Sequence, residues 1–575
     1  METWRIFLAV TLMLGVIVVT NLLFPPPAPS PDGAPADSVE VVAPPVLDPV
    51  APPLPQAPPG PQDTVAEDPA GGVDTPAAGP APGSRTAGRV IVVESPLYRY
   101  RIALMGGGVV GAELLEYPSY TESGGVELVV DSLGPVVGYG LRTAGREASL
   151  AGLAFASDVP DTVRLGSGET GRDVTLRATL ADGGEAVLVY SFQPGTYAFE
   201  VRGRLALGPL AEQTSLLLGL GPTLKVNEED ADEDRRNLGY VTNGTRSGIR
   251  SVPLRRVDEP TIEEGPLEWA ALKNKYFVVG VFGSPDTGRN LGGLIVEPAP
   301  ADDAAELAAT LPLERDGSFA FRVYAGPQEP DRLAEMGADF EDVNPLGWSF
   351  LRPIIRPLAH LITWALVGLH RATGLAYGWV VILFGILVNV LIWPLSMKAM
   401  RAQLRNMEIQ PRMKAIQEKH KENPQMLQQE MMRLYKEEGF NPLGGCLPML
   451  IPMPVLFTLF FVFQATIEFR GTEFLWLPDL SRPDPLYIIP VLMALSMFVL
   501  QYLSYKSTPE PNPQLKLMMW FMPIFMLVIL LNFASGLNLY YASSNVARLP
   551  QQLYIMKERR KAHIRQASRK EPERD

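Results

Sequence analysis

Four stretches in the C-terminal part of the chain, 376–396, 447–467, 486–505 and 515–533, are each apolar for about twenty residues. That is the length a helix needs to cross the ~30 Å of hydrocarbon in a bilayer. Lipid offers no water to satisfy backbone N–H and C=O groups, so a chain that enters it there is driven into helices. Residues 4–24, "WRIFLAVTLMLGVIVVTNLLF", add another such run. It exceeds the 7–15 apolar residues of a signal-peptide core and leads into "PPPAPS", so an uncleaved anchor is expected. Residues 537–555, "LNLYYASSNVARLPQQLYI", are much more polar. Their position beside a basic tail makes them the sixth span.

The segments between the spans differ in kind. Residues 25–83 are dense in Pro, Ala, Gly and Asp and bury too little apolar surface to fold, so they read as an extended linker. Across 84–340, short alternating runs such as "RVIVVESPLYRYRIAL", "DVTLRATL", "EAVLVYSF" and "FAFRVYAG" are separated by Gly, Pro, Asn and Asp. That pattern predicts a large antiparallel β-sandwich. Residues 344–371 mix apolar residues with Arg, His and Trp. Pro353 and Pro357 argue against a straight span there, so an interfacial amphipathic helix is expected. Residues 397–440 read as a helical hairpin, with Asn423 as N-cap, Pro424 at the first helical position and Gly439 as terminator of the second helix. Its methionines, among them Met407, Met413, Met426, Met431 and Met432, suit either hairpin packing or varied apolar partners.

Charge orients this arrangement. Residues 397–440 carry nine Lys and Arg and the tail 556–575 carries eight, whereas 468–485 carries only Arg470 and Arg482, balanced by acids. The inside-positive bias therefore places both ends of the chain and the hairpin in the cytoplasm, with the β-domain and the loop 468–485 outside. The net charge of −13 is concentrated away from the tail. An acidic β-domain repels nucleic acid. The basic tail is a topology signal, or suits anionic lipid or ribosomal RNA. A single cysteine, Cys446, excludes an intrachain disulfide, and the four histidines form no pattern with metal-ligand spacing. No cofactor is expected, and no GxxxxGK[ST] nucleotide loop is present.

Several polar residues fall inside the spans: Asn389, Gln464, Gln501, Asn532, Asn538, Tyr540, Tyr541, Asn545 and Arg548. An unpaired amide facing lipid costs roughly 1–3 kcal/mol and an Arg more, so these groups face protein or a wet cavity. Interhelical hydrogen bonds that only hold a bundle together are the plainer alternative. Tyr541, Asn545 and Arg548 share a helical face at i, i+4, i+7. Asn389 lies nine residues before Lys398, and Arg548 nine before Lys557. At about 1.5 Å per residue the two stand at one depth, about 13 Å from a basic flank.

In "NPLGGCLPML" (441–450), "MMRLYK" (431–436), "SGLNLYYASSN" (535–545), "WPLSMKA" (393–399), "IQPRMKAI" (409–416) and "MPIF" (522–525), the chain resembles the YidC-type membrane protein insertases, in the bacterial form with a large periplasmic domain. The resemblance covers residues 344–555 and extends more weakly over the β-domain through "WAALKNKYFVVGVF" (269–282) and "VYAGPQ" (323–328). It implies a membrane α-helical bundle of six spans with a five-helix core. That core encloses a hydrophilic groove, open to the cytoplasm and lipid and closed outside, where a galactose-mutarotase-like β-sandwich sits. It also implies an inner-membrane location, and nascent membrane proteins as clients, handled alone or with the Sec translocon; the basic tail and hairpin make the ribosome a further expected partner. The family's groove usually carries an arginine about five residues before a "PL" pair, and that position is Asn389 here. The expectation is that Arg548 supplies the displaced charge.

Two other readings compete. A β-domain of the mutarotase kind suggests sugar epimerisation, but residues 84–345 contain no histidine to act as acid or base. Polar groups in broken helices also suggest a transporter, but no inverted repeat accompanies them.

Overall fold

The computed structural model describes residues 88–180, 183–284, 288–301, 303–347, 351–437, 453–506 and 513–570. The expected first span (4–24), the linker, Gly439 and Cys446 lie outside the described residues. Met413–Arg433 belongs to a second compact unit, distinct from the unit of Gly83–Arg412 and Leu434–Asp575.

The N-terminal half is β-rich. A five-stranded sheet is built from β1 (Val90–Glu94), β2 (Tyr98–Ala103), β3 (Val109–Pro118), β4 (Gly125–Glu127) and β7 (Thr162–Arg164), in the order β4-β3-β2-β1-β7. The run "RVIVVESPLYRYRIAL" turns back on itself because Ser95 Oγ accepts from the amides of Leu97 and Tyr98, both at 3.1 Å. Val90 then pairs with Ala103, and alternate side chains of both strands are buried. One expectation is corrected: β1 pairs with β7 in parallel, so the sheets are not wholly antiparallel. With only three residues, β7 has no alternation to read, and a long connection rather than a hairpin delivers it.

The thirteen-stranded sheet holds the other strands. Its center is β14 (Thr261–Lys273), β15 (Phe277–Phe282) and β18 (Ser318–Pro327); β9 (Glu185–Phe192) and β10 (Ala198–Leu205) continue it outward. The two sheets share one core in which Tyr98 and Tyr100 of β2 meet Phe192 and Phe199, with ring centroids 5.4–6.4 Å apart. Tyr100 Oη donates across the core toward the carbonyls of Tyr197 and Ala325, at 2.9 and 2.8 Å. Strand β15, "FVVGVF", is buried on both faces, which accounts for its unbroken apolar run. Phe340 covers one face, and Gly280 allows it: a Cβ there would lie 2.8 Å from the Phe340 ring. Trp269 Nε1 donates to the Ala338 carbonyl at 2.8 Å, so the chain leaves the β-domain at a pinned point.

Helices α1 (Ala231–Asn237) and α2 (Pro330–Met336) belong to this half. Among the described residues the C-terminal half is helical: α3 (Arg352–Thr373), α4 (Tyr377–Lys419), α5 (Pro424–Glu437), α6 (Met453–Ala465), α7 (Ile488–Lys506), α8 (Pro513–Leu530) and α9 (Ser535–Lys570). α3 buries Ile355, Ala359, Ile362 and Leu366, one stripe at helical spacing, against α6.

 

Its opposite side leaves Ile354, Leu361 and Trp364 exposed. The helix runs through Pro357 without ending, and Gly374, in the left-handed region at φ 66°, closes it.

Two helical segments, Tyr377–Lys398 and Ile488–Lys506, are long and apolar enough to cross a membrane, and two shorter ones, Pro454–Ala465 and Lys516–Leu530, are apolar. Residues 447–452 of the expected third span lie outside the described residues and Met453–Ala465 is helical; the fifth corresponds to α8, Pro513–Leu530, and the sixth lies within the more polar α9. Two helices continue across expected boundaries. The expected span 376–396 and the first hairpin helix form one continuous helix, α4, because Met, Lys, Ala, Arg, Gln and Leu after residue 396 all favour helix. Likewise α9 continues through the tail to Lys570. The second hairpin helix begins as read, with Asn423 Oδ1 accepting from the Met426 amide at 3.1 Å.

Candidate functional site

Burial among the helices is lopsided along their length. In α4 the buried residues are Gly378, Val380, Val381, Phe384 and Gly385, and none is buried from Ile386 to Lys398. In α7 they are Ile489, Pro490, Met493 and Ala494, and none from Leu495 to Lys506. One apolar cluster joins Val380, Val381, Phe384, Ile489 and Met493 to Leu459, Val462 and Phe463 of α6, Leu537 and Tyr540 of α9, and Phe469, Phe474, Leu477 and Leu480 of the segment 467–485. Helices α4 and α7 are thus sealed at the end that carries residues 467–485 and packed loosely toward the other, where α9 still buries Gln551 and Ile555.

A polar layer begins where the seal ends. Arg548 Nε of α9 donates to Asn389 Oδ1 of α4 at 2.9 Å, and Asn389 Nδ2 donates to the Gly385 carbonyl one turn back at 2.7 Å. Asn545 Nδ2, one turn before Arg548, donates to Ser496 Oγ of α7 at 3.0 Å. One face of α9 therefore bridges α4 and α7 through polar groups. Among the described residues, no carboxylate lies within ion-pair distance of Arg548. Gly385 eases the approach: a Cβ there would stand 2.6 Å from Ser543 Oγ, so a larger residue requires that hydroxyl to turn away.

The other expected residues are distributed differently. Tyr541 is half-buried on α9 beside Tyr540, which is buried and tilted against Phe384 at 6.1 Å. Asn538 is fully buried at the sealed end. Its Nδ2 donates to the Leu530 carbonyl at 3.0 Å, while Oδ1 has no partner among the described residues. Ten residues, about 15 Å, separate it from Arg548. Gln464 is half-buried near the end of α6, and Asn532 is exposed in the turn after α8, both at the sealed end. Gln501 is half-buried on the loose half of α7. The structure thus joins Asn389, Asn545 and Arg548 in one layer and leaves Gln464, Asn532 and Asn538 outside it. Ser496 and Gly385 are the members that the sequence reading missed. Serine and glycine are common in membrane helices, so neither stood out.

The seal is braced from the β-domain. Arg470, its side chain only 2% exposed, pairs with Glu228 at 2.7 Å and donates to the Pro118 carbonyl at 2.9 Å. Its guanidinium lies 4.4 Å from the center of the Tyr120 ring. Arg482 pairs with Glu229. Both arginines of the expected loop 468–485 are thus committed to β-domain acids. Burial raises the Glu228 pKa, and Arg470 opposes that rise.

Residues 90–361 match the family described as YidC periplasmic domain, and residues 368–562 that described as 60Kd inner membrane protein. A membrane protein insertase YidC from Chlorobium phaeovibrioides is 31% identical over 81% of this chain and 83% of its own. One from Chlorobaculum parvum is 33% identical over 64% of this chain, and the match spans 65% of that relative's length. A solved structure described as an active YidC insertase with its first transmembrane domain resolved aligns over 81% of this chain and 92% of its own, at 17% identity and a TM-score of 0.33. Relatives of this kind are non-enzymatic proteins of the inner membrane with a periplasmic domain. On the length and identity of these matches, the chain belongs to the YidC family of membrane protein insertases.

Proposed function

We propose that the loose half of the helical region is a water-filled indentation on the cytoplasmic side of the inner membrane, and that it receives polar segments of client proteins. The observation that carries this reading is Arg548, a cation without a carboxylate partner among the described residues, held by Asn389 below a sealed apolar end. A client's polar tail meets water and hydrogen-bond partners over part of its path, so it crosses less than the full ~30 Å of hydrocarbon. The client's apolar helix then slides into lipid, and its burial drives the step at about 25 cal/mol per Å². In this reading Arg548 replaces the arginine that the resemblance places at position 389, Gln501, Tyr540, Tyr541 and Asn545 line the groove and buried Asn538 floors it, whereas Gln464 and Asn532, expected there from the sequence, stand at the sealed end away from it.

The proposed topology has six spans, with both chain ends and the 397–440 hairpin in the cytoplasm and the β-domain outside, as the distribution of Lys and Arg favours. The Sec translocon and the ribosome are the proposed partners, the latter through the basic tail and the hairpin. Site-specific photocrosslinking tests the reading. A photoreactive residue at Tyr541 or Asn389 is expected to capture a stalled nascent membrane protein, whereas one at exposed Asn532 is not. Equal capture at all three positions, or none at Tyr541 and Asn389, contradicts it.

A further inference from the structure

A cavity of about 700 Å³ lies between α3 and the underside of the β-domain, a volume in the range of small-ligand sites. Most of its charges are already paired. Arg356 pairs with Asp342 and Asp339, Arg371 pairs with Asp331 at 3.4 Å, and His360 stands 3.8 Å from Asp342. Among the described residues three are not: Glu341, and two groups of opposite sign, Arg352 and Glu468. Arg352 lines the cavity with its Nε shielded from solvent and without a partner among the described residues, and Glu468 does the same with its Oε2. Shielding one charge without a partner is costly, and here both signs are left open in one chamber. At the cavity, α3 carries Trp364, 74% exposed, and Ile354 and Leu361 on the same helix are also exposed. That is the amphipathic surface expected at a membrane–water boundary.

We propose that this cavity binds the headgroup of an amine-bearing zwitterionic phospholipid, phosphatidylethanolamine, from the outer leaflet. Arg352 holds the phosphate, Glu468 accepts hydrogen bonds from the ammonium, and the acyl chains lie along Ile354, Leu361 and Trp364. A primary ammonium carries N–H donors that a carboxylate can accept, whereas the trimethylammonium of phosphatidylcholine has none and phosphatidylglycerol has no cation. The inference rests on reading α3 as interfacial, but not on the groove or on client insertion. Burial, with Glu329 and Asp331 raising and Arg371 lowering, pushes the Glu468 carboxyl up to about 7. The ammonium needs the ionised form, so retention rises as pH increases through about 7. Tyr377 also faces this carboxyl.

Native mass spectrometry of the full chain in detergent, with each phospholipid added in turn, tests the proposal. The wild type is expected to retain phosphatidylethanolamine about tenfold over phosphatidylcholine and phosphatidylglycerol. Glu468→Gln abolishes that preference, Arg352→Gln lowers retention of all three about tenfold, and Arg352→Lys stays within about threefold of wild type. Lipid-free melting, measured in parallel, separates loss of the site from loss of the fold, and Arg352→Lys keeps the charge if Arg352→Gln unfolds. Equal retention of the three lipids by the wild type overturns the proposal, as does an unchanged preference in folded Glu468→Gln. Soluble phosphoethanolamine that displaces the lipid at equal concentration overturns the membrane as the source.

Discussion

Arg548→Ala lowers insertion of clients with acidic translocated tails by roughly ten- to a hundredfold, and leaves clients with neutral tails within about threefold of wild type. The magnitude follows from losing one charge-assisted hydrogen bond, about 1.5–3 kcal/mol, between the guanidinium and a client carboxylate. Arg548 is available for that bond because Asn389 is its partner at 2.9 Å and no carboxylate neutralises it among the described residues. Asn389→Ala removes an amide and no charge, so its effect is smaller. The double change Asn389→Arg with Arg548→Asn moves the cation to α4 at the same depth and restores acidic-tailed clients to within about threefold of wild type. Reconstituted insertion with a matched pair of acidic and neutral clients reads all of these. Wild-type insertion of the acidic client by Arg548→Ala removes the charge from the account.

The second large effect is on stability. Arg470→Met lowers the stability of the docked β-domain by about 3–5 kcal/mol, because it leaves the Glu228 carboxylate buried without its cation. The penalty depends on pH with a definite sign. Burial already holds the folded pKa of Glu228 above its ordinary value, and losing Arg470 raises it further. A carboxyl whose pKa is raised on folding favours the fold when protonated, and that contribution fades as pH rises. The variant is therefore destabilised more at pH 8 than at pH 5. Thermal melting of the full chain at the two pH values checks this, with proteolysis within 467–485 reporting undocking. Melting equal to wild type at pH 8 shows that the pair does not hold the two regions together.

What could be read without coordinates was mainly what depends on local periodicity. Apolar runs became helices, "EAVLVYSF" became a strand with the same ends, and Asn423 capped α5. The Asn389–Arg548 contact also follows from local counting, since both residues lie nine positions from a lysine. Long-range partners were not legible. Arg470 and Arg482 looked balanced by acids in their own loop, yet they pair with Glu228 and Glu229, about 240 positions earlier in the chain. Parallel β7 and the Phe340 plug are likewise set by tertiary packing. Gln464, Asn532 and Asn538 fell outside the polar layer because an amide in a span signals polarity without giving depth. No helix end marks the expected change from span to hairpin at residues 396–397, because helix propensity continues across the point where lysines and arginines begin.

Solvent access to the loose half is the central claim, and thiol labelling measures it. In a Cys446→Ser background, single cysteines are placed at Asn389, Tyr541 and Asn538 in inverted membrane vesicles, and a membrane-impermeant maleimide is added from the cytoplasmic face. The account predicts prompt labelling at positions 389 and 541 and protection at 538, within the sealed end. Protection at 389 and 541 from that face, or labelling at 538 as fast as at 389, contradicts it.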